Sequence, residues 1–321
     1  MRIHAFLVQA VAACGLMLTA AAVAAQGSCP PAPPRADTLH AEQLQADVRD
    51  RGFLWRLEQD GRVSWLYGTV HASRIEWVVP GPRIQAALAA SDVVALELDP
   101  ADPELARVFA TPADPARAQR VAAGLRPRIE KLATRSCLPG EQVAQMRPML
   151  QLAMLSLSEA RRDGFHPELG VDAVLWGLAR SQGKPVVALE TPALQLAALT
   201  PVSEADERAI LERSVQDLES GESRPLLTRM LQAWAQGDAA ALESYPQWCR
   251  CMDTPAERRF LQQMNDDRNE QIAGKLVALH AGGQRFFAAV GALHMTGPKA
   301  LNLLLRSQGF QVQRVPFTAA R

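Results

Sequence analysis

The pentapeptide Val93-Val94-Ala95-Leu96-Glu97 recurs unchanged as Val186-Val187-Ala188-Leu189-Glu190. Each copy is an apolar run of strand length that ends in a carboxylate. Two more apolar runs end in Gly-x-x-His: Leu66-Tyr67-Gly68-Thr69-Val70-His71, and Phe286-Phe287-Ala288-Ala289-Val290 followed by Gly291-Ala292-Leu293-His294. A helix is expected after each Gly-x-x-His: near 83–90, beyond a loop with Pro80 and Pro82, and at 299–307 with Gly309 as its cap. A helical pattern is also read at 170–182 with Gly183 as its stop. Asp60-Gly61 between two apolar runs signals a hairpin, and the alternation of 311–315 suits an edge strand. Strands alternating with helices predict an α/β fold built on a mostly parallel sheet of repeated strand–helix units. The remaining helical patterns, about 116–138, 148–162, 204–218, 223–236, 239–244 and 255–278, have no strands among them. They predict a helical insertion or cap over that sheet.

Composition excludes several classes of partner. Of 321 residues, 48% are hydrophobic, and 34 basic side chains balance 34 acidic ones. That is a folded chain, with no electrostatic case for binding nucleic acid or an anionic membrane. Aromatic residues are only 5%, so Ala, Leu and Val must fill the core.

The amino terminus predicts export. Arg2 precedes an apolar run from Ala5 to Ala25, which closes on the small residues of Ala22-Val23-Ala24-Ala25. This reads as a signal peptide over 1–25, placing the mature protein in the periplasm or outside the cell. An uncleaved anchor is opposed by the small-residue end. Val11-Ala12-Ala13-Cys14 resembles a lipoprotein cleavage site, but the apolar run continues past Cys14, against lipidation. No later stretch predicts a membrane span. Residues 26–48 begin Pro-rich and read as a flexible leader. Residues 49–321 form the folded domain, with insertions at about 101–165 and 200–250. Cleavage would leave Cys29, Cys137, Cys249 and Cys251, an even number that suggests disulfides in an exported protein. A direct Cys249–Cys251 bridge reads as strained, which favours a long-range link from Cys137 or Cys29 to that pair.

The four strand ends carry the chemistry. In a parallel sheet His71, Glu97, Glu190 and His294 should converge beyond the carboxyl edge, where open α/β sheets bind ligands. Two imidazoles with one or two carboxylates suit a divalent metal such as Mn, Co, Fe or Zn. Such an ion activates water as a nucleophile, and a glutamate free of metal can act as general base. The plain alternative is that the glutamates are solvated charges at strand ends. In the helix starting at Pro255, Arg268 falls in the stripe of Phe260, Met264, Ile272 and Leu276. A charge on an apolar face needs a partner, and Glu97 or Glu190 is the expected one; the alternative is an Arg whose head reaches solvent. Asn269 is either a supporting donor or surface. Asp99 and Asp172 read as helix caps. His40, His166 and His280 read as bystanders.

These residues resemble the TraB/GumN (PrgY-related) family, whose relatives include the Tiki metalloproteases. The resemblance rests on Leu66–His71, Val94-Ala95-Leu96-Glu97-Leu98-Asp99, Gly170-Val171-Asp172, and Leu189-Glu190-Thr191 with Gln195. It also uses Trp234-x-x-Gly237-Asp238, Arg268-Asn269 and Gly291–His294, and it spans roughly 52–316. It implies a fold akin to the erythromycin-esterase and ChaN-like group and a metal-dependent hydrolase, with proteolysis in the Tiki branch. By that likeness His71, His294 and Glu97 are metal ligands. Glu190 and Arg268 match family positions.

The functional expectation is an exported metal-dependent hydrolase, a peptidase acting on a peptide or protein. Metal would be held by His71, Glu97 and His294; Glu190 would be ligand or base; Arg268 would orient a carboxylate or oxyanion. The alternative is a non-catalytic protein of the cell envelope whose cleft binds haem, a peptide signal or a metal.

Overall fold

A computed structural model describes residues 29–32, 41–45, 47–111 and 114–317. The signal-peptide reading of 1–25 lies outside the described residues. Six strands form one sheet: β1 (Phe53–Gln59), β2 (Arg62–Thr69), β3 (Val93–Leu96), β4 (Val186–Ala188), β5 (Phe286–Gly291) and β6 (Gln311–Val315). Their order is β4-β3-β5-β2-β1-β6. The first four neighbours in that order are mutually parallel, while β1 runs antiparallel to both β2 and β6.

Local chemistry explains the ends of this sheet. Asp60 and Gly61 both take left-handed backbone angles (φ 51° and 72°), as a two-residue hairpin turn demands. Strand β5 is central and wholly apolar; Phe286 through Val290 are inaccessible to solvent. That is the mark of a parallel strand covered on both faces. Strand β6 has an exposed face, as an edge should. The repeated pentapeptides lie side by side but one residue out of step: Val94 pairs with Val186 and Leu96 with Ala188. Backbone pairing continues past the strands, with Glu190 N–H donating to the Glu97 carbonyl at 2.9 Å.

Helices complete two large cores. One surrounds the sheet and takes in Ile84, Leu175, Trp234, Ile272, Leu276 and Leu301. The second is purely helical, built from Val121, Ile129, Leu132, Leu155, Leu211 and Val215. It belongs to the stretches read as insertions.

Two expected helices are broken. The pattern at 116–138 divides into Pro115–Val121 and Arg126–Arg135, with Gly124 in a left-handed conformation (φ 76°) between them. The pattern at 255–278 divides into Pro255–Met264 and Asp266–Ala281, because Asn265 departs from helical angles (φ −120°, ψ −69°). Periodicity in fours survives such a break, so the sequence reads as one helix. Of the expected stripe, Ile272 and Leu276 are fully buried, and Phe260 and Met264 only partly. The helices expected after the two Gly-x-x-His motifs stand at Pro82–Ala89 and Leu301–Ser307, each beyond a 3-10 turn. His294 itself lies in a 3-10 turn, Ala292–Met295, and a 3-10 turn at Ile75–Trp77 follows His71.

The disulfides correct the expectation. Cys249 bonds to Cys251, and Cys29 to Cys137, with Cα atoms 5.1 and 5.5 Å apart. Arg250 takes a left-handed φ of 57° and folds its two neighbours toward each other. The leader is tied by Cys29 and carries a short helix, Ala41–Gln45, whose Leu44 packs with Val78, Leu169 and Val174. Among the described residues, no helix is long and apolar enough to cross a membrane.

Candidate functional site

The strand order places Glu190, Glu97, His294 and His71 after four adjacent parallel strands, in that sequence across the sheet. All four therefore reach the same carboxyl edge. A Cβ placed on Gly291 would lie 3.4 Å from Glu97 Oε1, 3.6 Å from His294 Cδ2 and 3.7 Å from His71 Nε2. Three side chains from three strands thus ring one point, and glycine at 291 keeps that point open.

Each imidazole is held from behind through Nδ1. His71 Nδ1 donates to Asp172 Oδ2 at 2.8 Å, and Thr69 Oγ1 donates to the other Asp172 oxygen at 2.6 Å. His294 Nδ1 lies 2.6 Å from Asn269 Oδ1. The Asn269 amide nitrogen is spent on the carbonyls of His294 (3.2 Å) and Lys299 (2.8 Å). Only its oxygen is left to face the ring, so His294 carries its proton on Nδ1 and presents a lone pair at Nε2. That Nε2 faces Glu97 Oε1 at 3.8 Å.

The carboxylates centre on Arg268. Its Nη2 donates to Glu97 Oε2 at 2.7 Å, its Nε to Glu190 Oε1 at 2.8 Å, and Nη2 also pairs closely with Glu190 Oε2. Its Nη1 donates to the Met264 carbonyl at 2.8 Å. Glu97 Oε2 also accepts from Gln195 Nε2 at 3.0 Å, and Glu97 Oε1 from the Gly291 N–H at 2.7 Å. Glu190 is buried with both oxygens on Arg268. It is thereby the counter-ion of Arg268.

Charge follows this geometry. The Asp172 carboxylate, helped by Glu97, pushes His71 up to about 9. The His71 side chain is 63% exposed, and water screens part of that attraction. Burial lowers His294 to about 4. Burial also opposes ionisation of Glu97, but His294, His71, Arg268 and the Gly291 N–H outweigh it and hold the carboxyl at about 2. Burial opposes the charge on Arg268, and Glu190 and Glu97 more than restore it.

Among the described residues, no group of three or more His, Cys, Asp or Glu side chains is placed to hold a metal ion. The donors at this edge nonetheless fit a divalent cation in kind. They are two imidazole nitrogens held through their opposite ring atoms, and a carboxylate oxygen facing one of them. Two facing acceptors, Nε2 of His294 and Oε1 of Glu97, are what a shared cation satisfies.

Sequence reasoning missed two supports of this site. Asp172 read as a helix cap, yet it makes no cap bond to the helix Val171–Ser181 and instead serves Thr69 and His71. Its signal lay in Gly170-Val171-Asp172: a Cβ at Gly170 would lie 2.9 Å from the His71 carbonyl, so glycine admits the helix to that strand end. Gln195, three residues into its helix, was visible only as a motif match. Asn269 is completely buried and proves to be a supporting residue. Asp99 caps no helix: the helix Pro103–Ala110 is capped by Asp102, while Asp99 accepts from Ala101 N–H at 2.9 Å in the preceding turn and from Trp176 Nε1 at 2.9 Å.

The TraB/PrgY/gumN family profile matches residues 53–314. The chain belongs to this family. Within it, 165 residues are 31% identical to the uncharacterized protein YbaP of Escherichia coli (strain K12), covering 50% of this chain and 57% of YbaP. YbaP of Shigella flexneri matches to the same extent. The match therefore spans little more than half the length of these curated relatives. No solved structure matches the chain.

Proposed function

We propose that this TraB/PrgY/gumN protein is an exported, metal-dependent hydrolase that cleaves a peptide or protein substrate. One observation carries the reading. Both imidazoles are held through Nδ1, by Asp172 and by Asn269, and they meet the Glu97 carboxylate around Gly291. His71 Nε2, on giving up its proton, would hold the ion with His294 Nε2 and Glu97 Oε1, and when bound it would supply an activated water for hydrolysis.

The chain's own groups do the rest. Asn269 keeps the His294 lone pair aimed at the cleft. Asp172 and Thr69 orient His71, whose exposed ring is open to a substrate. Arg268 joins His294 and His71 in holding Glu97 in its ionised form and is itself neutralised by Glu190. Export is supported by the amino-terminal pattern and by the two disulfides, which suit an oxidising compartment.

The test is elemental analysis of the purified protein with peptide turnover in Mn or Co. We expect bound metal that is lost in His71→Ala and His294→Ala, and turnover abolished in Glu97→Ala. Metal retained by both histidine variants would sink the assignment. Metal without turnover would favour the non-catalytic binding protein.

A further inference from the structure

The fold around the Cys249–Cys251 bridge is held by other means. Upstream, Trp248 Nε1 donates to the Ala241 carbonyl at 2.9 Å, and the Arg229 guanidinium stacks 4.3 Å above the Trp248 ring. Downstream, Thr254 and Glu257 form a reciprocal capping box that starts the next helix without the bridge. The bridge closes a loop with a sequence separation of 2, against 108 for Cys29–Cys137. Chain entropy rewards long loops, so the short one contributes little to folding. Arg250, between the two cysteines, sits in the left-handed region (φ 57°), a costly conformation for a residue other than glycine.

The two sulfurs differ. Cys249 is 6% exposed, while Cys251 is only half-buried. The Cys251 N–H already points at Cys249 Sγ, 3.1 Å away. A donor in that place stabilises negative charge forming on Cys249.

We propose that Cys249–Cys251 is a thiol–disulfide exchange site for small thiols, opening and closing without loss of the fold. The thiolate of a small thiol attacks Cys251 Sγ and forms a mixed disulfide. The Cys249–Cys251 bond breaks, and its electron pair stays on Cys249 Sγ beside the Cys251 N–H. A second thiolate then attacks the sulfur of the bound thiol, releasing Cys251 as thiolate and the small thiol as its own disulfide. Both cysteine thiolates take protons from the two thiols consumed. Two electrons and two protons have moved to the protein, and the reverse path oxidises two thiols.

The experiment equilibrates wild-type protein in glutathione buffers of graded ratio, traps free thiols by alkylation, and maps them by mass spectrometry. Circular dichroism is read in parallel. We expect Cys249 and Cys251 to become half-reduced at a GSH²/GSSG ratio at least tenfold lower than Cys29 and Cys137 require, with the spectrum unchanged. Both bridges opening at one ratio, or the short one opening only as the spectrum collapses, would overturn the proposal. A second measurement compares single variants. Cys251, left free in Cys249→Ser, should react with oxidised glutathione at least tenfold faster than Cys249 in Cys251→Ser; equal rates would remove Cys251 as the attacked sulfur.

Discussion

At the scale of single residues, the site depends on small groups that keep space or fix a proton. Gly291 has angles that any residue adopts (φ −50°, ψ 136°), and an added methyl would meet its neighbours at ordinary contact distances. Gly291→Ala should therefore fold normally while filling the point that Glu97, His294 and His71 share. We expect unfolding free energy within about 1 kcal/mol of wild type, as for a conservative substitution, with metal uptake and turnover lost. Retained metal binding in that variant would place the site elsewhere. Asp172→Asn removes the charge that raises His71. Titration by NMR should show the His71 pKa falling from about 9 toward the ordinary imidazole value; an unchanged value would mean that Asp172 is not its cause.

At the scale of elements, the helix Ser223–Gln236 ties the helical territory to the sheet. Trp234 Nε1 donates to the Gly68 carbonyl at 2.7 Å, and the Trp234 carbonyl accepts from Gly52 N–H at 3.0 Å. Trp234→Phe keeps a ring in the core but leaves the buried Gly68 carbonyl without that donor. Urea unfolding should register a loss of about 1–3 kcal/mol, the cost of an unmet buried polar group. No measurable loss would show that water replaces the indole. Gly68 opens the Gly-x-x-His that ends in His71, so the same variant should also disturb the site. The break at Asn265 has a comparable role. It starts a new helix at Asp266, with Arg268 in its first turn beside both glutamates.

At the scale of the molecule, stability should depend on pH in a way the site dictates. His294 is lowered to about 4, so from pH 6.5 down to 4 the unfolded chain binds a proton that the folded one refuses. Stability must fall across that window. A shift of that size corresponds to about 2–4 kcal/mol. Glu97, held at about 2, contributes stability that is present above the ordinary carboxyl value and lost as pH falls through 2. His71 has the opposite sign. Its contribution is present below pH 6.5 and is lost as pH rises through about 9, reduced by its exposure. Thermal unfolding across pH 4–9 should peak near neutrality, and His294→Gln should flatten the decline between 6.5 and 4. An unchanged decline in that variant would assign it to other groups.

How much of this was legible in the sequence follows from the range of each interaction. Apolar runs, turn residues and strand-end polar groups are local, so the α/β class, the hairpin at Asp60-Gly61 and the strands ending in His71, Glu97, Glu190 and His294 could all be read directly. Arg268 announced its need for a carboxylate because it stood in an apolar stripe. The side chains behind the site were another matter. Asp172 looks like a cap at the start of any helix, and Asn269 reads equally as a supporting donor or a surface amide, until the fold brings them to His71 and His294, 101 and 25 residues away along the chain. The cysteine pairing likewise turned on one backbone angle at Arg250. Sequence alone determined which chemical groups stand at the strand ends, because a strand's length and polarity are written in consecutive residues. Only the tertiary structure decided which nitrogen of each imidazole is turned away from its support and which carboxylate faces the imidazoles. Those choices are made by hydrogen bonds between segments that meet only after folding.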